Sequence, residues 1–228
     1  MQLSVQETAE LIKVSVETVY HWIDQKEIPF YKINDTYRFN KTELLEWATA
    51  RGLRLSPDFF LKEDGENADL PWLTDALRSG GILYDVEGST NAEVLKSIVD
   101  RMKLPEDVDR QFLYQTLVVR ESLGSTGIGN GIAIPHARNP LVLQVVEATV
   151  TLCFLKNPID FKAIDGKPVS ILFTIVSPTV RAHLHLISRI AFVLKDPDFL
   201  KVLENRAKPE EIFEVLQRIK STISSVKP

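Results

Sequence analysis

The chain has a single cysteine, Cys153, in 228 residues, so it can form no internal disulfide and offers no CxxC pair for a thiolate metal site. A small buried hydrophobe is the expected role of Cys153. No apolar run approaches the roughly 20 residues that span a bilayer, and Met1-Gln2-Leu3-Ser4 does not open a basic and then apolar leader. The chain is therefore expected to be cytoplasmic, with no membrane partner. It also has no basic excess: 27 Lys and Arg face 31 Asp and Glu, for a net charge of −4, so any nucleic-acid binding must come from a local patch. Nucleotide signatures are missing too. No Gly-Lys-Ser/Thr follows its glycine-rich stretch and the G-x-G-x-x-G spacing is absent, which argues against an ATP or nicotinamide site, and no cofactor is expected.

The first 52 residues are dense in helix signals. Ser4-Val5-Gln6-Glu7 has the form of a capping box and starts a helix through about Lys13. Ser15 caps a second helix, Val16 to Gln25, with Val19, Trp22 and Ile23 on one face. After Pro29, Phe30 to Ile33 and Tyr37 to Phe39 read as two short strands joined at Asn34-Asp35, which makes a wing. Asn40 opens a third helix with Leu44, Leu45, Trp47 and Ala48 on its apolar face, and Gly52 is placed to stop it.

Residues 53–69 read as an acidic linker, since Asp58, Glu63, Asp64, Glu66 and Asp69 outnumber Lys62. A second domain is expected over 70–228. Leu70 to Ser79 predicts a short helix and Ile82 to Val86 an apolar strand; helices follow over Asn91 to Met102 and about Asp107 to Leu123. Val146 to Leu155 and Val169 to Val176 are β-branched and aromatic, as buried strands require, with Asp165-Gly166 as a turn between them. Helices over Thr179 to Leu194, Pro197 to Asn205 and Pro209 to Ile219 close the chain. The expected class is α/β, a mixed sheet flanked by helices, preceded by a small winged helix-turn-helix domain.

Residues 124–140 hold four glycines and two prolines, too much punctuation for a helix. Gly127, Gly129 and Gly131 let backbone amides approach an anion, and they precede His136 and Arg138, with Arg120, Glu121 and Ser122 just upstream. A neutral imidazole is nucleophilic near pH 7, and amides with arginines can stabilise phosphoryl oxygens. Taken alone, these residues fit a packed or solvated histidine as well as a reactive one. His183 and His185 stand two apart on a helix, where their rings diverge, so no shared metal is expected.

The stretch from Arg120-Glu121 through Gly127-Ile128-Gly129-Asn130-Gly131-Ile132-Ala133-Ile134-Pro135-His136 resembles the signature of enzyme IIA domains of the bacterial phosphotransferase system, of the fructose, mannitol and nitrogen-regulatory type. The likeness runs on through Pro158-Ile159-Asp160-Phe161, Ile164-Asp165-Gly166-Lys167-Pro168-Val169 and His183-Leu184-His185-Leu186. It departs from the family pattern at Ala137, where glycine is usual. The resemblance implies that His136 accepts a phosphoryl group from an HPr-type phosphocarrier, that His183 lies beside it as a hydrogen-bonding partner, and that Arg120 supports the site. It implies onward partners of two kinds, an enzyme IIB or a regulatory target protein. The chain carries no recognisable enzyme IIB segment of its own.

Residues 1–50 resemble the excisionase-type winged helix-turn-helix domains of the MerR-like group, through Leu3 to Ile12, Val14 to Ile23, Ile28-Pro29 and Tyr37-Arg38-Phe39. Relatives that bind DNA carry arginines where this chain has Glu17, Asp24, Gln25 and Glu27, and residues 1–52 hold six bases against eight acids. Tyr20, His21, Arg38 and Lys41 are the candidate DNA contacts, and a homodimer would double them. A protein-interaction role stands equally beside DNA binding.

Overall fold

A computed structural model of the chain describes residues 2–33, 36–51, 53, 70–106, 108–137 and 145–224. Asn34-Asp35, Gly52, Asp107, Arg138 and nearly all of the expected linker lie outside the described residues. Contacts divide the chain into two units, Met1–Ala68 and Asp69–Pro228.

In the first unit, helices α1 (Val5–Leu11) and α2 (Val16–Asp24) begin as the sequence predicts. The Ser4 and Glu7 side chains satisfy each other's backbone amides, and the Ser15 hydroxyl accepts from Thr18 N–H at 3.1 Å. The wing is the pair β2 (Tyr31–Ile33) and β3 (Thr36–Asn40). A strand that the sequence does not signal, β1 (Gln2–Leu3), pairs antiparallel with the other edge of β3. Helix α3 (Lys41–Ala50) starts with Glu43 N–H on the Asn40 side chain, and Trp47 packs edge-on against Trp22 at 5.1 Å.

The second unit is a five-stranded mixed sheet flanked by helices. Its strands are β4 (Ile82–Val86), β5 (Gly127–Gly129), β6 (Ile132–Ala133), β7 (Thr149–Ile159) and β8 (Val169–Val176), in the order β4-β7-β8-β6-β5. The β7–β8 pair is antiparallel, whereas β4 runs parallel to β7 and β6 parallel to β8. The central strands are buried on both faces, which is why they read as continuous apolar runs without alternation. On one face, Cys153, Leu155 and Leu172 join a core with Leu95, Ile98 and Val99 of α5 (Asn91–Arg101) and Leu113 and Leu117 of α6 (Arg110–Ser122). On the other, Phe173 meets Phe199 of α8 (Pro197–Glu204). Helices α4 (Leu73–Gly80), α7 (Val180–Val193) and α9 (Pro209–Ser224) complete the unit.

Helix boundaries follow local chemistry: Thr90 caps α5, Asp109 caps α6, Thr179 caps α7 and Asp196 caps α8. Asp196 accepts from both Asp198 and Phe199 amides at 3.0 Å, and also holds Arg218 of α9 at 3.1 Å. Asp196→Ala should lower stability by about 1–2 kcal/mol, read as a lower urea midpoint at unchanged slope.

Candidate functional site

The glycine-rich stretch folds as a hairpin of β5 and β6 and then runs on alongside β8. Ile175 N–H donates to the Pro135 carbonyl at 2.9 Å, and His136 bridges Ile175 in parallel. His136 therefore lies where β6 and β8 end, at the C-terminal edge of the parallel strands, where open α/β sheets collect their ligands. Four residues beyond Ile175, Thr179 caps α7, so the positive end of a fourteen-residue helix begins at the same edge of the sheet. His183, in the opening turns of α7, places its ring 4.9 Å from that of His136. Both histidines are buried, at 3% and 1% exposure.

Two neighbours set the tautomer of the His136 ring. Its Nδ1 lies 2.7 Å from the Ile134 carbonyl oxygen, which can only accept, so Nδ1 carries the hydrogen. Its Nε2 lies 3.3 Å from Arg120 Nε, which can only donate, so Nε2 carries the lone pair. The ring's lone pair is thus on Nε2, with a guanidinium beside it. Arg120 is steadied by a second bond, Nη1 to the Gly124 carbonyl at 2.8 Å.

The adjacent Glu121, in the last turn of α6, takes hold of the same loop. Its carboxylate accepts from Thr126 N–H at 3.1 and 3.2 Å and from Thr126 Oγ1 at 2.6 Å. Burial pushes this carboxyl up, against the lowering effect of the Thr126 and Ser125 hydrogen bonds and of Arg120. From residue order alone Glu121 is only a neighbour of Arg120; the signal that could have marked it is a carboxylate five residues before a threonine at a helix end.

The structure gives the three glycines a backbone role. Gly127 approaches Ala163 so closely that a Cβ on it would lie 2.8 Å from the Ala163 Cα, and its N–H donates to Ser125 Oγ. Gly129 has φ +93° and faces the Asp165 carboxylate, which also accepts from Asn130 N–H at 2.9 Å. The Gly131 carbonyl accepts from Ser170 and Ile171. Arg138, the second expected cation, lies outside the described residues. Among the described residues no cluster of three or more His, Cys, Asp or Glu could hold a metal ion, and no helix is long and apolar enough to cross a membrane.

Residues 76–219 match the model of the family described as phosphoenolpyruvate-dependent sugar phosphotransferase system, EIIA 2. The chain belongs to this family. Among its EIIA relatives is the nitrogen regulatory protein of Pseudomonas aeruginosa, 36% identical over 148 residues that span 63% of this chain and 94% of the relative. A fructose-specific EIIABC component from Bacillus subtilis is 28% identical over 149 residues, covering 64% of this chain and 23% of that protein. Among solved EIIA structures, nitrogen regulatory protein IIA-Ntr from Neisseria meningitidis superposes with a TM-score of 0.51 at 29% identity, covering 59% of this chain and 92% of that one.

Ahead of the EIIA domain, residues 3–52 match a helix-turn-helix domain model. Its second helix exposes Tyr20 (43%) and His21, and Tyr20 meets Tyr37 of the wing edge-on at 6.2 Å. Arg38 is half-buried. Lys41, also a candidate DNA contact, is 6% exposed where β3 runs into α3.

His185, set aside by its spacing, is half-buried on α7, and its Nε2 finds no hydrogen-bond partner among the described residues. Burial first, then Arg189 and Arg181, push the ring down to about 4, against a hydrogen bond to the Pro71 backbone. An unfolded histidine titrates near 6.5. Between these values the unfolded chain binds a proton that the folded EIIA domain does not, so stability falls as pH drops from about 6.5 toward 4. In thermal melts across that range, His185→Leu should lose part of the acid-side decline, while wild type and variant should run parallel above pH 7.

Proposed function

We propose that this chain is a phosphoryl-accepting regulator, in which His136 Nε2 takes a phosphoryl group from an HPr-type phosphocarrier and the charge it gains is read by a target protein. The observation that carries the reading is the pair of bonds on the His136 ring. An acceptor on Nδ1 and a donor at Nε2 leave one nucleophilic nitrogen, aimed at a guanidinium. In the transfer, the Nε2 lone pair forms the new N–P bond while the donor's P–N bond breaks and its electron pair returns to the donor imidazole. The His136 Nδ1 proton stays in place, and its bond to Ile134 spreads the positive charge that develops on the ring. Arg120 and the N-terminal end of α7 face the phosphoryl oxygens, so the protein contributes position and charge. His183, its ring 4.9 Å from that of His136, is placed to hydrogen-bond the group that His136 would carry.

A regulatory role is favoured over a purely transport role by the nitrogen regulatory names of the 36% identical relatives and by the helix-turn-helix match ahead of the EIIA domain. In the transport reading the group passes on from His136 to an enzyme IIB. Exposed Leu123 at the end of α6 and Val180 at the start of α7 offer apolar contact to a protein partner in either case. The helix-turn-helix domain, with Tyr20 and His21 exposed, is the candidate contact for DNA or for a regulatory protein, and a homodimer would present two such faces.

Intact-protein mass spectrometry after incubation with phosphoenolpyruvate, enzyme I and an HPr-type carrier at alkaline pH should show one phosphoryl group on wild type and none on His136→Ala. Uptake by the variant, or none by wild type, overturns the acceptor role. For the DNA reading, footprinting in both phosphorylation states should show a protected site; its absence in both assigns the helix-turn-helix domain to a protein partner.

A further inference from the structure

Adjacent residues in the last turn of α6 set the two nitrogens of the His136 ring, and only one of them touches it. Arg120 reaches Nε2 directly. Glu121 reaches Nδ1 through the backbone: its carboxylate accepts from Thr126 N–H and Oγ1, the Thr126 carbonyl accepts from Ile134 N–H at 3.0 Å, and the Ile134 carbonyl accepts from His136 Nδ1–H at 2.7 Å. We infer that Glu121 is a positioning residue for His136, holding through Thr126 the Ile134 carbonyl that keeps the hydrogen on Nδ1 and the lone pair on Nε2.

The chemistry favours this assignment over a merely structural tie. A neutral imidazole has two tautomers of similar energy in water, and which one a protein holds depends on the partner of each nitrogen. Carbonyl–Nδ1 geometry matters, because a hydrogen bond weakens steeply as it lengthens or bends. The Ile134 carbonyl lies in a two-residue extension after β6, where Ile134 N–H on the Thr126 carbonyl and the neighbouring Ile175 N–H on Pro135 tie the backbone down. Thr126 in turn sits in a loop that Gly124 enters at φ +155° with open space around it, so the loop gains its position from the groups that grip it. Glu121 grips it with three acceptor contacts, one of them 2.6 Å, and Ser125 Oγ adds a bond to the Phe161 carbonyl. Even a half-buried carboxylate is costly unless its oxygens are satisfied, so the pair Glu121–Thr126 holds both partners at once.

The inference rests on the acceptor reading of His136 only in its kinetic arm. The test is 15N NMR of the histidine rings in the full, unphosphorylated chain at alkaline pH, with the His136 signals assigned by comparison with His136→Ala. Wild type should show His136 in the Nδ1–H form alone. Glu121→Ala should show a mixture in which Nε2–H appears, and its phosphoryl uptake should slow by about tenfold, or about 1.4 kcal/mol in the barrier. Glu121→Gln keeps an oxygen to accept from Thr126 and should restore the single Nδ1–H form. An unchanged tautomer in Glu121→Ala overturns the inference. If that variant does not fold, Glu121→Asp shortens the side chain and draws the carboxylate off Thr126 while keeping its charge, and an unchanged tautomer there overturns it equally. A wild-type chain in the Nδ1–H form that takes up no phosphoryl group defeats the acceptor reading instead, and leaves the role of Glu121 standing on the tautomer shift.

Discussion

The parallel pairing of β6 with β8 governs what the EIIA domain can do. Ile132 and Ala133 lie against Ile171 and Leu172, and the same alignment carries on to His136 against Ile175. A slip of one residue would turn every side chain along this path to the opposite face, and the imidazole would leave the space beside His183 and Arg120. The register is held where slippage is most costly. β8 is buried along nearly its whole length and pairs with β7 over seven positions, so β6 docks onto a strand whose own place is already fixed. Its partner β5 adds little ladder of its own; what holds the hairpin is the close approach of Gly127 to Ala163 and the grip of Asp165 on Asn130.

That register places a titratable ring where water hardly reaches, and burying such a ring requires partners for both nitrogens. The partners are asymmetric, a carbonyl on one side and a guanidinium on the other, and the asymmetry leaves the buried ring with its lone pair on one defined nitrogen. The neighbouring α7 shows the contrast. His185 is withdrawn from water too, yet its Nε2 has no partner among the described residues and it faces Arg181 and Arg189, so it is held neutral without being presented to anything.

Much of this could be read from residue order because it depends on local chemistry. Ser4, Ser15 and Thr179 cap helices by hydrogen bonds within three residues, and Val169–Val176 is apolar and branched enough to be a buried strand before any partner is known. The motif around His136 and the resemblance it carries led to the family and to the mixed sheet with its flanking helices. What escaped depends on contacts distant in sequence or on burial. The pairing of Gln2–Leu3 with β3 joins residues nearly forty apart. Lys41 looks like any surface cation until the exit of β3 buries it. The glycines of 127–131 suggest an anion cradle by composition, but their packing against Ala163 and Asp165 involves a segment more than thirty residues downstream. The tie from Glu121 to His136 crosses only fifteen residues, yet it runs through carbonyls and amides, which every residue possesses and no side-chain pattern can signal.

The depth of His136 also bears on who can use it. With 3% of the residue exposed, a free anion in solution has little access to Nε2, so on the proposed reading a donor must seat closely enough to bring its phosphorus to the ring. Exposed apolar groups lie near the site in the chain, beside the exposed polar Ser122 and Thr179: Val119 in the last turn of α6, Leu123 just after it and Val180 at the start of α7, the helices that carry Arg120 and His183. A phosphoryl group adds about −1.5 to −2 charges, and beyond a Debye length of about 10 Å salt screens most of that change. A protein that senses the phosphorylated state must therefore approach the same rim that the donor used. On the proposed reading, donor and reader would then compete for one surface.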